Sequence, residues 1–497
     1  MTNALDRRSF LGRGALLAGG GVLSVSALER LSAREALAAP DDGARPQQAS
    51  YGPLERKPDQ RGREILALPA GFSYVTFGEI GSTMSDGNPT PIALDGMAAF
   101  PGPGGTVRLI RNHEDRNPPG QGSLGGDPRT KYDPEGGGGT TTLDYDPRAR
   151  RLVRDFISLN GTAVNCAGGV AFGHRAWISC EEDVGGPEHA DAALRFPRRH
   201  GYCFEVPLVG RPSARPIKAM GRFAHEAVAA DQRTGIVYET EDPGSGRGAG
   251  FYRYLPRDPR RLSAGGRLQI LAVTGAPQYD TREGQTVGRK LPVSWIDIPD
   301  PDPAYANLDD PGGVFKQGFA LGAAKFNRVE GCWYDAGSVF FCATSGGDAK
   351  NGDVNSDGFR EGYGQVWEYR AHDRSDGLLV LHYESPGGSE VDSPDNLTVT
   401  PRGGLVLCED DAGDGDGDTH PLAPGLENVN RLIGLSPAGQ AFEFGVNVLN
   451  GSEFAGACFS PGGETLFMNL FGRARATEEP LEGMTCAITG PWETGPL

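Results

Sequence analysis

One short pattern constrains this chain more than any other. It runs His225-Glu226, an alternating stretch, a polar turn ending at Gly235, then Ile236-Val237-Tyr238 and the acidic end Glu239-Thr240-Glu241-Asp242. Two alternating runs around a glycine turn spell a β-hairpin. The ends of a hairpin meet at its open side, so the pattern predicts His225 and Glu226 beside Glu241 and Asp242 at one rim of a sheet. The pattern recurs from Asp95 to Glu114, Asn165 to Asp183, Glu330 to Thr344, Asp395 to Asp410 and Glu453 to Asn469, six copies in all. A lone hairpin cannot bury its face, so repeats of one imply radial stacking. The expected fold is all-β, a six-bladed β-propeller with loop insertions, whose hairpin ends converge on one central face.

Glycine (75 of 497 residues) and proline (38) fall between short strand-like runs, which favours an all-β fold over disorder. Phe251-Tyr-Arg-Tyr and Gln365-Val-Trp-Glu-Tyr are expected as third strands of their blades. Residues 40–65 read as an extended N-terminal arm and 66–497 as one propeller domain. Residues 256–322, rich in Asp and Pro, read as an insertion that covers one face. The net charge of −17 argues against nucleic acid as a partner. After the N-terminus no apolar run is long enough to span a bilayer, and a monomer is expected.

Residues 1–39 read as a targeting segment. Arg7-Arg8-Ser9-Phe10-Leu11 precedes a Gly-rich apolar stretch, and small residues at Ala36-Leu37-Ala38-Ala39 mark a cleavage site near Ala38–Pro40. The paired arginines resemble a twin-arginine signal, which implies the twin-arginine translocase as a transient partner. It also implies an exported mature chain, in the periplasm, at the cell surface or outside the cell. The segment carries five Arg against three acids, so its removal takes the net charge from −17 to −19.

Convergence of the hairpin ends has an electrostatic consequence. Glu114, Glu181, Glu182, Glu226, Glu241, Asp242, Glu330, Asp395, Glu409, Asp410 and Glu453 cannot all be ionised near one axis without cations. Hard oxygen ligands suit Ca²⁺. Cys166 occupies a place where other copies carry Glu226, Glu330 or Asp395, and its softer sulfur points to a transition metal, iron or zinc, beside the calcium. His113 and His225 each precede a rim Glu, and alternation would leave them behind the ligands. Arg328, two residues before Glu330, is a candidate for gripping an oxyanion. Asp353-Val-Asn355-Ser-Asp357-Gly358 matches half an EF-hand loop but lacks the final Glu, and Asp414-Gly-Asp416-Gly-Asp418 is a second acidic tract that could take Ca²⁺. The other cysteines read mainly as small buried residues, although Cys332 and Cys342 could face each other across one hairpin. Neither a Gly-x-Ser-x-Gly elbow nor a Walker loop is present.

The ordered set Arg111-Asn-His-Glu114, Asn165-Cys-Ala-Gly-Gly169 with Cys180-Glu-Glu182, Gly221-Arg-Phe-Ala-His-Glu226, Ser393-Pro-Asp-Asn396 with Cys408-Glu-Asp410, and Glu453-Phe-Ala-Gly-Ala-Cys-Phe-Ser-Pro461 resembles the PhoX-type alkaline phosphatases. The resemblance implies a six-bladed propeller, twin-arginine export, and a cluster of ferric iron (Fe³⁺) and calcium (Ca²⁺) that hydrolyses small-molecule phosphomonoesters. Carried over by motif, it implies Cys166, Glu226 and Glu330 as iron ligands. It implies Glu114, Asp395, Asn396, Glu409 and Glu181 or Glu182 as calcium or shared ligands, and Arg328 on the phosphate. The chain departs from the family pattern at Asn327-Arg328-Val329, where a Pro more often precedes the Glu. Two other readings fit the same repeats: a phosphodiesterase or lactonase-like propeller hydrolase, and a non-catalytic calcium-binding propeller.

Overall fold

The computed structural model describes residues 50–304, 307–372, 374–410 and 419–497. The signal segment, the start of the arm and the Asp414–Asp418 tract lie outside the described residues.

All six expected hairpins form. Their strands are Leu94–Pro101 with Val107–His113, Asn165–Val170 with Ala176–Glu181, His225–Ala230 with Val237–Glu241, Val329–Asp335 with Ser338–Ala343, Pro394–Val399 with Leu405–Glu409, and Phe454–Phe459 with Thr465–Leu470. The first strand of each hairpin packs on the first strand of the next, and the sixth packs back on the first, so six inner strands form a closed ring. Each hairpin ends in the same backbone bond, in which the residue after the second strand donates to the residue before the first. The pairs are Glu114 to Ala93 (3.0 Å), Glu182 to Val164 (2.9 Å), Asp242 to Ala224 (3.1 Å), Thr344 to Arg328 (3.0 Å), Asp410 to Ser393 (3.0 Å) and Phe471 to Glu453 (3.3 Å). The repeat seen in sequence is therefore a repeat of hydrogen bonding.

Further strands extend the hairpins outward. Phe251–Pro256 and Gln365–Ala371 take the third places expected of them. The ring is fastened by its two chain ends, because Ser73–Phe77 pairs with the late strand Met484–Thr489. An early strand thereby completes the four-stranded sheet of the sixth unit. Leu54–Pro58 and Glu64–Pro69, from the arm and the residues just after it, add to the edge of the fifth unit.

Residues 256–322, expected as an insertion over one face, contribute strands to the sheet. Gly266–Val273 extends the third unit, and Lys290–Asp297 pairs on one side with it and on the other with Gly377–Glu384 of the fourth. Two neighbouring units are thereby fused at their rims into one nine-stranded sheet. Between them lies an aromatic wedge, with Phe251 stacked on Phe341 at 4.3 Å and Tyr238, Trp295 and Tyr369 around it. A seven-residue helix, Val314–Ala320, follows. Among the described residues no helix is long and apolar enough to cross a membrane.

All eight cysteines are buried and unbridged. Cys332 lies opposite Phe341 rather than Cys342, so the pair does not meet across its hairpin.

The inner strands touch closely because some of their residues lack side chains. A Cβ on Gly331 would sit 2.7 Å from the Asp395 carbonyl oxygen and 2.8 Å from Asn396 Cα on the next strand. Those contacts are with backbone and cannot yield cheaply. Gly331→Ala is expected to lower the unfolding free energy by about 1–3 kcal/mol, measured by urea denaturation. An unchanged midpoint would show that the inner ring is looser than described.

Candidate metal centre

Each hairpin carries the same irregularity. Between the first pairing and the next, two residues of the inner strand oppose one of its partner, as in Leu94↔His113 followed by Met97↔Arg111. The same slip separates Asn165 from Gly168, His225 from Val228, Val329 from Cys332 and Pro394 from Leu397, and in the sixth hairpin it falls one residue later, between Ala455 and Cys458. A β-bulge re-aims the side chain it carries. The residue following the first pairing is Asp95, Cys166, Glu226, Glu330 or Asp395, and Ala455 in the sixth copy. Four of the residues just ahead of these strands, Ala93, Val164, Arg328 and Ser393, hold left-handed backbone (φ 56°, 47°, 48° and 43°). For Val164, a β-branched residue, that conformation is costly.

The bulges bring these side chains together. Asp95, Glu114 and Cys166 place one ligand atom each within 4.8 Å of one another, and so do Cys166, Glu182 and Glu226, then Glu182, Asp242 and Glu330, then Glu226, Glu330 and Asp395. Each triad shares a member with another, so the four make one continuous cluster. Glu453 and Asp410 adjoin it, with Glu453 in the field of Asp410, Glu114 and Asp95.

The electrostatics are severe. Burial, then the neighbouring Asp395 and Glu330 charges, push the Glu226 carboxyl far above the usual range. Burial does the same to Asp95, Glu182, Glu330 and the Cys166 thiol, with neighbouring acids adding to it, and lifts Asp395 to about 8. Glu226 is 0 % exposed, and neither of its oxygens has a hydrogen-bond partner. Such a carboxylate needs a cation or a proton. Hard oxygens around one sulfur fit calcium beside a transition metal. Two guanidiniums border the cluster. Arg116 bridges Glu114 and Glu182. Arg328 bonds to Asp242 Oδ2 at 2.9 Å and lies 3.0 Å from Glu330. Burial would raise Asp242, but Arg328 outweighs it and holds that carboxyl low.

A match over residues 49–472 joins this chain to the family described as alkaline phosphatase PhoX. The chain belongs to the PhoX alkaline phosphatase family. The Pseudomonas fluorescens PhoX structure in complex with vanadate, a transition state analogue, is similar, with 20 % identity, a TM-score of 0.63, and coverage of 91 % of this chain and 99 % of that one. The WD40 repeats of RRP9 align at 8 % identity and a TM-score of 0.37, over 88 % of this chain and all of theirs. No curated protein matches.

In this PhoX-family chain, six of the residues expected from sequence as ligands meet at the centre: Glu114, Cys166, Glu182, Glu226, Glu330 and Asp395. Arg328 is beside them. Three others are bonded to protein groups instead. Glu181 turns away from its neighbour Glu182, and its oxygens accept from Ala163 N (3.0 Å), His200 Nδ1 (2.6 Å), Gly201 N (2.9 Å) and Tyr202 N (3.1 Å). Glu409 likewise accepts from Asp392 N (2.9 Å) and from Arg431 Nε and Nη2 (both 2.7 Å). Both carboxylates are saturated by protein donors, so they anchor the chain where it enters their hairpins. Asn396 is a tether, with its oxygen accepting from Gly456 N (2.7 Å) and its amide donating to Asp395 Oδ1 (2.9 Å). Glu241 is a third anchor, held by Gly250 N (3.0 Å) and the Tyr252 hydroxyl (2.5 Å).

Sequence reasoning missed Asp95 and Arg116. Asp95 heads its copy of the repeat as Cys166 and Glu226 do, which was the available signal, whereas Arg116 left none. The half EF-hand also has another use, because Asp357 binds Arg282 (2.9 Å) and Lys325 (3.0 Å). A cleft of about 630 Å³ lies at the first unit's outer strands and holds none of these residues.

The Glu181 anchor yields a pH signature. His200 is fully buried, which lowers its pKa, but Glu181 at 2.6 Å and Asp133 at 3.5 Å outweigh burial and raise it to about 9. The raised value stabilises the fold below the unfolded histidine's pKa near 6.5, by about 3 kcal/mol. That contribution is lost as the pH climbs through about 9. Urea melts across this window are expected to show parent stability falling relative to His200→Gln. Parallel curves would contradict a charged His200.

Proposed function

We propose that this chain is an exported phosphatase that hydrolyses phosphate monoesters with calcium and ferric iron held at the centre of the ring. The observation that carries the reading is Glu226, a carboxylate sealed from water, bonded to nothing, and surrounded by Cys166, Glu182, Glu330 and Asp395. A structural scaffold gains nothing from such an arrangement, whereas a polynuclear cation site requires it.

Asp95, Glu114, Glu182, Asp242, Glu226, Glu330 and Asp395 would supply the oxygen ligands, and Cys166 the thiolate. Bound there, such ions provide Lewis acidity toward phosphate oxygens and offset the charge that builds up on them. The protein's own part is positioning. Arg328 stands at the exposed edge of the cluster, its side chain 28 % accessible, and a guanidinium fork grips two phosphate oxygens at once. The left-handed backbone at Arg328 fixes where that fork begins. Arg116, 35 % accessible, adds a second positive charge on the far side of Glu182. Glu181, Glu409 and Asn396 hold the bulged strands so that the ligands stay aimed. The segment 1–39 would export the chain through the twin-arginine translocase.

Hydrolysis of p-nitrophenyl phosphate by the exported protein tests the proposal. Glu226→Gln and Cys166→Ser are expected to lower kcat/KM by on the order of 10²–10³, together with loss of bound iron. Arg328→Lys is expected to lower it by about 10² with metal content unchanged. Full activity in Glu226→Gln and Cys166→Ser would defeat the assignment.

A further inference from the structure

Next to the ring centre, on the opposite side of the third inner strand, lies a second knot of ligating side chains. His225 immediately precedes Glu226 and faces the other way. Its Nε2 donates to the Gly221 carbonyl at 3.2 Å, which fixes the tautomer and leaves Nδ1 with a bare lone pair. That lone pair faces Cys203 Sγ at 3.5 Å and Glu239 Oε2 at 3.4 Å. Cys203 in turn lies 3.7 Å from Cys180 Sγ, its direct neighbour across the sheet. All four residues are 0 % exposed.

Glu239 decides what this knot is. Neither of its oxygens makes a hydrogen bond, and they point at a nitrogen that has no proton to give. The surroundings are dry, with Val228, Val237 and Tyr254 in the same buried cluster as both cysteines, and Phe223 stacked on the imidazole at 3.6 Å. A proton on Glu239 would satisfy one oxygen only. A cation satisfies the carboxylate, the imidazole and the thiols together.

The spacing identifies the cation. A tetrahedral ion with sulfur ligands at about 2.3 Å and nitrogen or oxygen ligands at about 2.0–2.1 Å sets its ligand atoms about 3.8 Å apart for S···S, about 3.6 Å for S···N and about 3.4 Å for N···O. Cys203, His225 and Glu239 place one ligand atom each within 4.8 Å of one another, and the Cys203–His225 and His225–Glu239 separations are 3.5 and 3.4 Å; Cys180 stands 3.7 Å from Cys203, outside that group of three. We propose that Cys203, His225 and Glu239 hold one tetrahedral zinc ion, with Cys180, the neighbour of Cys203, moving in as the fourth ligand when the ion binds, separate from the ring centre and independent of the phosphatase reading. Four protein ligands leave no open position, so the ion is structural. It ties the second unit, through Cys180 and Cys203, to the third, through His225 and Glu239. It thereby sets the backbone that presents Glu226.

The mature exported chain, purified without chelators, provides the test by elemental analysis and zinc-edge X-ray absorption. About one zinc per chain is expected, with two sulfur neighbours at about 2.3 Å. That sulfur count separates this site from the ring centre, which offers Cys166 alone. Glu239→Gln and Cys203→Ser are expected to lower zinc content at least about tenfold and leave bound calcium unchanged. Absence of zinc from the parent, a one-sulfur zinc environment, unchanged zinc in both variants, or a Cys180–Cys203 disulfide found by alkylation and mass spectrometry would each overturn the proposal. The absorption measurement uses the unaltered protein, so it decides the matter even if a variant fails to fold.

Discussion

Mutual repulsion among buried carboxylates sets the terms for this molecule. Two unit charges 4 Å apart cost about 4 kcal/mol at the effective dielectric of a protein surface, and the ring gathers overlapping triads of such groups. Asp242, clasped by Arg328, is the exception that is held low. Asp95, Glu182, Glu226, Glu330 and Asp395 are pushed up by burial and by one another. Two guanidiniums cannot neutralise so many acids. The backbone therefore imposes a charge density that the protein's own cations do not resolve and that bound metal ions would.

The backbone accomplishes this with one device used repeatedly. In five of the six hairpins a bulge after the first pairing turns a ligand toward the axis, and the shared bond between hairpin ends lies just ahead of it. The anchors then divide labour with the ligands. In Glu181-Glu182, Glu241-Asp242 and Glu409-Asp410 the first carboxylate binds protein donors and the second adjoins the centre. Alternation along the chain sends adjacent side chains in opposite directions. One dipeptide thus supplies both a ligand and the brace that keeps it in place, and His225-Glu226 follows the same rule one strand over.

This division explains what could be read from sequence. The hairpins and their convergence were legible because glycine turns and alternating runs are local signals. So was Cys166, whose sulfur stands out among acids at its place in the repeat. Which of Glu181 and Glu182, or of Glu409 and Asp410, faces the centre was not legible, because choosing between neighbours requires the register, and a one-residue slip exchanges the two faces. The bulge that sets the register has no signature of its own. The pairing of Lys290–Asp297 with Gly377–Glu384 was equally hidden, since it joins segments far apart in the chain. Arg116 was silent for the same reason, because its partner Glu182 lies 66 positions away.

The most direct test of the central claim is anomalous diffraction from crystals of the exported, active protein, collected at the iron absorption edge. A peak bounded by Cys166 Sγ and the Glu226 and Glu330 carboxylates is expected. Water alone among those side chains, in protein that still hydrolyses phosphate esters at full rate, would contradict it.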